Sequence, residues 1–377
     1  MIDPALVARV RQRVALSGLP PTSAAVAAAL REEGGALQGD VRAVLAVLQD
    51  EIAGAGPLAP LLAGATDVLV NGPGEVWVDR GDGLELTDVR FPDEQSLRRL
   101  AQRLAAPTGR RLDDAQPWVD ARLPDGVRLH AVLPPVAPSG TCLSLRVPRR
   151  TVFALADLVG CGSVPPDGAE LLARLVASRV AFLVTGGTGT GKTTWLSALL
   201  SLCDPADRLL LVEDAAELRP EHPHVVRLEA RAPNVEGAGE VTLRDLVRQA
   251  LRMRPDRVVV GEVRGAEVLD LLAALNTGHE GGCGTLHANS AADVPARLEA
   301  LAAVAGLGRE ALHSQVAAAL RVVLHLTRAG GVRRVAEVCV LTRGPDGWVR
   351  AVPAWRWDGT GAGVAGPAAD ELAGLVA

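Results

Sequence analysis

The spacing of apolar residues changes several times along this chain, and each change marks a boundary. Val7, Val10 and Val14 fall on one helical face, as do Val41, Leu45 and Leu48, so residues 1–50 are expected to form an N-terminal helical segment. Gly54, Gly56 and Pro57 interrupt it. From Thr66 to Val89 short apolar runs are separated by turn signals, Asn71-Gly72-Pro73-Gly74 and Asp79-Arg80-Gly81-Asp82-Gly83, which predicts strands joined by hairpins. A helix is predicted over Glu94 to Leu104, then strands that flank Pro124-Asp125-Gly126 and continue through Leu143 to Val147. Residues 51–150 therefore read as a small α/β domain, and 151–168, rich in Gly, Ser and Pro from Val159 to Gly168, as a linker.

Residues 169–377 have a different character. Three continuous apolar runs appear, Val180 to Val184, Leu209 to Val212 and Val258 to Val260, each ending at a glycine-rich loop or an acidic residue. Continuous runs suit parallel strands covered on both faces. Between them lie amphipathic helices: Leu243, Leu246, Val247, Ala250 and Leu251 follow one helical face. Strands alternating with helices predict a doubly wound α/β domain with its chemistry at the carboxyl ends of the strands. The tail after about Gly344 carries little signal, and Gly359 to Pro367 is expected to be flexible.

Composition narrows the function. A chain of 377 residues with 48% hydrophobic and 22% charged residues is globular and long enough for two or three domains. The net charge of -5, three Phe, six Trp and no Tyr speak against a nucleic-acid partner. Five scattered cysteines with no C-x-x-C fit reduced, buried thiols rather than a disulfide frame or a zinc site. Charges in the first residues and the lack of a long apolar run predict no signal peptide and no membrane insertion, so any membrane role would come through a partner.

Lys192 is the only lysine among 39 basic residues. Arginine replaces lysine easily on a solvated surface, but not where a compact ammonium must enter a phosphate cradle. Lys192 stands in such a place: Gly186-Gly187-Thr188-Gly189-Thr190-Gly191-Lys192-Thr193 follows a predicted strand and precedes a helical run, Thr194 to Leu202. This is G-x-x-x-x-G-K-[ST], whose glycines let backbone N–H groups turn towards a phosphate while the helix N-terminus adds partial positive charge. Residues 186–194 are the nucleotide-binding candidates, with Lys192 reaching the β- and γ-phosphates and Thr193 ligating Mg²⁺. With the lysine spent, no N-K-x-D guanine element exists, so ATP is the expected nucleotide. Acidic residues follow the second and third strands: Glu213, Asp214 and Glu217, then Glu262. Hydrolysis needs a carboxylate to orient or deprotonate water and another on the metal side. Glu217 and Glu262 are catalytic candidates, and Thr193, Glu213 and Glu262 the metal-side candidates.

With these residues the chain resembles the secretion and type IV pilus traffic ATPases, most closely the Tad-type pilus assembly ATPases related to conjugal transfer, over roughly residues 50 to 355. Val212-Glu213-Asp214 through Glu217-Leu218 is similar to the family's Asp box, and Leu251 to Arg257 through Gly261-Glu262-Val263-Arg264 to its Walker B region. Asn276-Thr277-Gly278-His279-Glu280-Gly281 with Thr285-Leu286-His287-Ala288-Asn289 resembles its His box. Asp125-Gly126-Val127-Arg128 with Ser144-Leu145-Arg146 resembles its N-terminal arginine strands, and Leu228 to Gly237 is similar to the Tad-like branch. Cys283-Gly284 departs from the small polar or methionine pair of relatives.

The resemblance implies a RecA-like P-loop ATPase domain at 169–377 behind a smaller N-terminal α/β domain. It implies ATP and Mg²⁺, a ring of identical subunits (a homohexamer), and an inner-membrane platform protein as partner at the cytoplasmic face of the membrane. In that picture Glu217 or Glu262 serves the attacking water, Arg128 and Arg146, with Arg122, neutralise charge on the γ-phosphate, and His287 senses it. Two alternatives stay open on residues alone: a nucleic-acid translocase or helicase on the same core, and a regulator that binds ATP without turnover.

Overall fold

In the N-terminal region, burial alternates along the strands. The strands are β1 (Asp67–Asn71), β2 (Val76–Asp79), β3 (Leu84–Leu86), β4 (Trp118–Arg122), β5 (Arg128–Val132) and β6 (Cys142–Arg146). Val68, Val70, Val76, Val78, Leu129, Ala131, Leu143 and Leu145 point to one face and are buried, while their neighbours are more open. The sheet runs in the order β3-β2-β1-β6-β5-β4 with every pairing antiparallel. Helix α2 (Glu94–Ala105) covers the apolar face with Leu97, Leu100, Ala101 and Leu104. Asp93 caps it, accepting the Ser96 N–H at 2.7 Å, a contact of the kind that contributes about 1 kcal/mol.

This computed structural model describes residues 9, 10, 13, 23–32, 55–81, 83–147, 152–231, 233, 237–278, 280–329 and 331–377. The chain divides into two units, Met1–Arg150 and Thr151–Ala377. Most of the expected N-terminal helical segment lies outside the described residues; within it α1 runs Ser23–Glu32.

The second unit holds a nine-stranded sheet. Its strands are β7 (Phe182–Gly186), β8 (Leu209–Glu213), β9 (Val225–Glu229), β10 (Arg257–Val263), β11 (Cys283–His287), β12 (Val322–Ala329), β13 (Val332–Arg343), β14 (Val349–Arg356) and β15 (Val364–Ala365). The order is β15-β14-β13-β12-β7-β11-β10-β8-β9, parallel from β12 to β9 and antiparallel from β12 to β15. Every residue of β7 and β8 is buried, as continuous apolar runs require. Val184, Leu211 and Val259 pack on one side, against Leu172 and Leu175 of α4 (Pro166–Ala177) and Trp195 and Leu196 of α5 (Lys192–Leu200). Leu183, Leu210, Val212 and Val260 pack on the other, against α6 (Leu243–Ala250), α7 (Glu267–Leu275), α8 (Val294–Val304) and α9 (Arg309–Ala319).

Two expectations change. The stretch read as a linker contains α3 (Leu155–Gly160) and the start of α4, and Leu158 and Val164 are core residues. Its prolines are not breakers here. Pro166 stands in the first turn of α4, where a missing N–H leaves no helix bond unmade. The tail is also built in: β14, β15 and α10 (Ala369–Leu375) follow, with Leu372 and Val376 buried. Its glycines make room for Trp355. A Cβ at Gly363 would lie 1.9 Å from the indole Nε1, and one at Gly168 2.7 Å from the ring. The indole N–H donates to Asp167 Oδ2 at 3.2 Å, and the Gly363 N–H to the same oxygen at 3.1 Å.

Cys203, Cys283 and Cys339 are buried, and burial pushes the Cys203 thiol up to about 11; Cys161, by contrast, is exposed. Among the described residues no helix is long and apolar enough to cross a membrane.

Candidate functional site

The phosphate-loop candidates sit where β7 leaves the sheet. Gly186 has φ 150, and a Cβ on it would come 2.6 Å from the Leu326 carbonyl oxygen of β12 and 2.7 Å from the Thr190 hydroxyl. Gly189 and Gly191 adopt φ 73 and 93, which side chains rarely take. The Thr190 hydroxyl closes the turn on the Gly187 carbonyl at 3.0 Å, and Thr188 and Gly189 are exposed. Lys192 opens α5 with Thr193 and Thr194 behind it, half-buried. Its side chain folds under the loop: Nζ donates to the carbonyls of Gly186 at 3.0 Å and Gly187 at 2.9 Å. Burial pulls this ammonium below its ordinary range, and Glu262 opposes the pull. A buried cation, a turn of glycines and a helix start make a cradle that fits a nucleotide's phosphates. Thr193 and Glu262 supply the hard oxygen donors that suit Mg²⁺.

The other candidates come from the neighbouring strand ends. His287, the last residue of β11, lies with Nδ1 3.4 Å from Lys192 Nζ and Nε2 2.8 Å from Glu262 Oε1. Both contacts suit a neutral ring that donates from Nε2 and accepts at Nδ1. Its pKa is lowered, by burial first and by Lys192 next, while Glu262 opposes. The other oxygen of Glu262 pairs with Arg264, which also lies 3.7 Å from Asp214. The polar chain thus runs Lys192, His287, Glu262, Arg264, Asp214, and crosses from the phosphate loop to both acidic strand ends.

Glu217 is exposed on the loop after β8, whereas Glu213 turns inward and is 3% exposed. Burial raises the Glu213 pKa, against the two loop N–H groups that it accepts from. Arg128 and Arg146 belong to the first unit, where they stand opposite each other on β5 and β6. Arg122 stands opposite Arg128, so the three align across adjacent strands. The Arg146 Nε donates to Asp67 Oδ1 at 3.0 Å. His279 and residues 232 and 234–236 of the Tad-like stretch lie outside the described residues.

Three site residues were given no role by sequence reasoning. Arg264 stands two residues past Glu262, a spacing that carries a usable signal. Glu267 is buried and accepts the N–H groups of Arg264 and Gly265 at 2.5 and 2.7 Å, which shapes the loop after β10. Arg333 of β13 donates from Nε to the Gly189 carbonyl at 2.8 Å, and its Cδ is 3.4 Å from where a Cβ on Gly191 would stand. No spacing links residue 333 to residue 189; only the pairing of β12 with β7 and β13 brings it there.

A family profile, Type II/IV secretion system protein, matches residues 51–342. A Mycobacterium tuberculosis protein named for conjugal transfer is 61% identical over 328 residues, 85% of this chain and 93% of its own. The conjugal transfer protein TrbB of Rhizobium radiobacter is 31% identical over 281 residues, 73% of this chain and 83% of its own. Among solved structures, the pilus retraction motor PilT with bound ADP aligns with a TM-score of 0.53 at 21% identity, covering 74% of this chain and 78% of that one, a likeness of fold. The chain belongs to the type II/IV secretion system protein family, the ATPases that power secretion and pilus assembly on a RecA-like P-loop core.

Proposed function

We propose that this ATPase turns over Mg-ATP at the carboxyl ends of β7, β8, β10 and β11 as one subunit of a homohexameric ring. On this reading it drives a Tad-type pilus or conjugation-related machine by pressing on an inner-membrane platform protein from the cytoplasmic side. The observation that carries the site assignment is the unbroken run of contacts from Lys192 through His287 to Glu262 and Arg264. A cation meant for phosphate and a carboxylate meant for water are joined by one imidazole, so a change at either end is felt at the other.

Mg²⁺, when bound, supplies charge neutralisation on the phosphates, and Thr193 and Glu262 are the residues that would hold it or its waters. Lys192 leaves its loop carbonyls for the β- and γ-phosphates. Glu217, exposed beside the site, and Glu262 share the handling of the attacking water. Arg128 and Arg146, aligned with Arg122 on the first unit, are assigned to the γ-phosphate's charge. A nucleic-acid translocase is not favoured by the family found.

Glu217→Gln and Glu262→Gln test the assignment. Each variant should bind Mg-ATP with near wild-type affinity and lose turnover by roughly a hundredfold. A variant with normal turnover removes that residue from the chemistry.

A further inference from the structure

Glu213 closes β8 at a position where spacing alone offers a metal-side carboxylate, and its surroundings suit a different task. Its Oε1 accepts the N–H of Glu217 and the N–H of Leu218, both at 2.9 Å. Leu218 is 0% exposed, so its amide cannot turn to water instead and depends on that oxygen. Among the described residues, Oε2 is buried without a hydrogen-bond partner. Magnesium keeps several of its waters and takes ligands that face them, so an oxygen sealed from solvent is poorly placed to serve it.

The fit around Glu213 extends to the next strand. A Cβ on Gly261 of β10 would lie 2.7 Å from Glu213 Cγ and 3.3 Å from Oε1. The strand ends can lie this close only because residue 261 has no side chain. The Gly261 carbonyl accepts the Thr285 hydroxyl at 2.6 Å, which ties the same point to β11 two residues before His287. The next strand end repeats the device, since buried Glu267 holds the Arg264 and Gly265 amides with one oxygen. Each acidic strand end thus pairs a buried glutamate that holds loop backbone with a more open one: Glu213 with Glu217, and Glu267 with Glu262.

We propose that Glu213 is a positioning residue: it staples the loop that carries Glu217 and, seated against Gly261, fixes that loop relative to the strand end that carries Glu262. The proposal rests on the ATPase reading only in taking Glu217 and Glu262 as the carboxylates being positioned.

Three variants test it, read by amide hydrogen exchange of the nucleotide-free full chain and by steady-state kinetics with Mg²⁺ titration. Glu213→Gln keeps the accepting oxygen. It should leave the Glu217 and Leu218 amides protected, kcat within about twofold of wild type and the Mg²⁺ half-saturation unchanged. Glu213→Ala and Gly261→Ala should speed exchange at those two amides by roughly tenfold or more, and lower kcat about tenfold with little change in KM for ATP. The staple is overturned if Glu213→Ala keeps both amides protected. It is equally overturned if Glu213→Gln keeps them protected yet loses turnover while needing far more Mg²⁺, which would return Glu213 to the metal. A wild-type chain without ATP turnover would sink the ATPase reading alone, because the exchange measurement needs no nucleotide.

Discussion

The two ends of one strand bundle in the second unit treat charge in opposite ways. At the amino ends, Asp207 and Arg257 are each 2% exposed and meet at 2.9 Å. Arg179 pairs with the second carboxylate oxygen, and Arg257 Nη2 donates to the Val176 carbonyl at 2.9 Å. A Cβ at Gly281, just ahead of β11, would sit 2.6 Å from Arg257 Nη1, so the approach to a fourth strand is shaped around the same guanidinium. At the carboxyl ends, Lys192 rests on the carbonyls of its own loop, and Glu262 divides its oxygens between a half-open histidine and an exposed arginine. The first arrangement is sealed at the Asp207–Arg257 pair, which Arg179 joins from the surface. The second is a set of contacts that can be exchanged for a ligand's. Buried pairs at one edge hold the strands in place, which leaves the other edge free to rearrange.

That contrast can be broken by substitution. Lys192→Ala and Lys192→Arg should lose turnover by roughly a hundred- to a thousandfold or more, with the melting temperature within about 3 °C of wild type. Activity and circular dichroism on the same samples check this, and wild-type-like turnover in the Arg variant would refute the special place given to the only lysine. Arg257→Met should do the reverse. It leaves Asp207 with an incomplete set of partners, at a cost of about 3–5 kcal/mol in denaturant unfolding, while the folded remainder keeps its specific activity. A stable but inactive Arg257→Met protein would erase the division between the two ends.

The smallest effect concerns pH. His325 of β12 is 4% exposed, and its Nδ1 lies 3.0 Å from the Thr185 hydroxyl beside the phosphate loop. Burial lowers its pKa, and Glu337 opposes. The unfolded chain takes up this proton near pH 6.5 and the folded chain only lower, so stability falls as pH drops below about 6.5. The slope is at most about 1.4 kcal/mol per pH unit for this group, and it ends once the folded pKa is passed. Melting temperatures from pH 7.5 to 5.5 should show less of this loss in His325→Gln. An identical profile in the variant would assign the loss to other groups.

How much of this was legible in the sequence depended on how local each cause is. The strand entering the phosphate loop, the loop itself and the two acidic ends were readable because strand, turn and helix start are contiguous in the chain. The antiparallel extension β13–β15 was not, since Gly359 to Gly363 looks like a flexible run until Trp355 is seen to need the space. Glu213 and Glu217 look alike as letters four apart, and only the path of the loop turns one inward and leaves the other exposed. Arg333 reaches Gly189 from across the sheet. Spacing records which residues share a face of one element, but not which distant strand will lie beside it.

The tail has a consequence for how copies of this chain behave towards each other. β13 is twelve residues long, and β14 pairs with it from Glu337 to Arg343. β14 is in turn backed by α10 and by β15, an outer strand of only two residues. A chain ending at Gly344 would present β13 as a long bare edge carrying Cys339, Val340 and Leu341, ready to pair with the same edge of a second molecule. Residues 349–368 take up that edge instead: β14 pairs along β13, and β15 with the Gly366 and Ala368 N–H groups takes up the far end of β14 in turn.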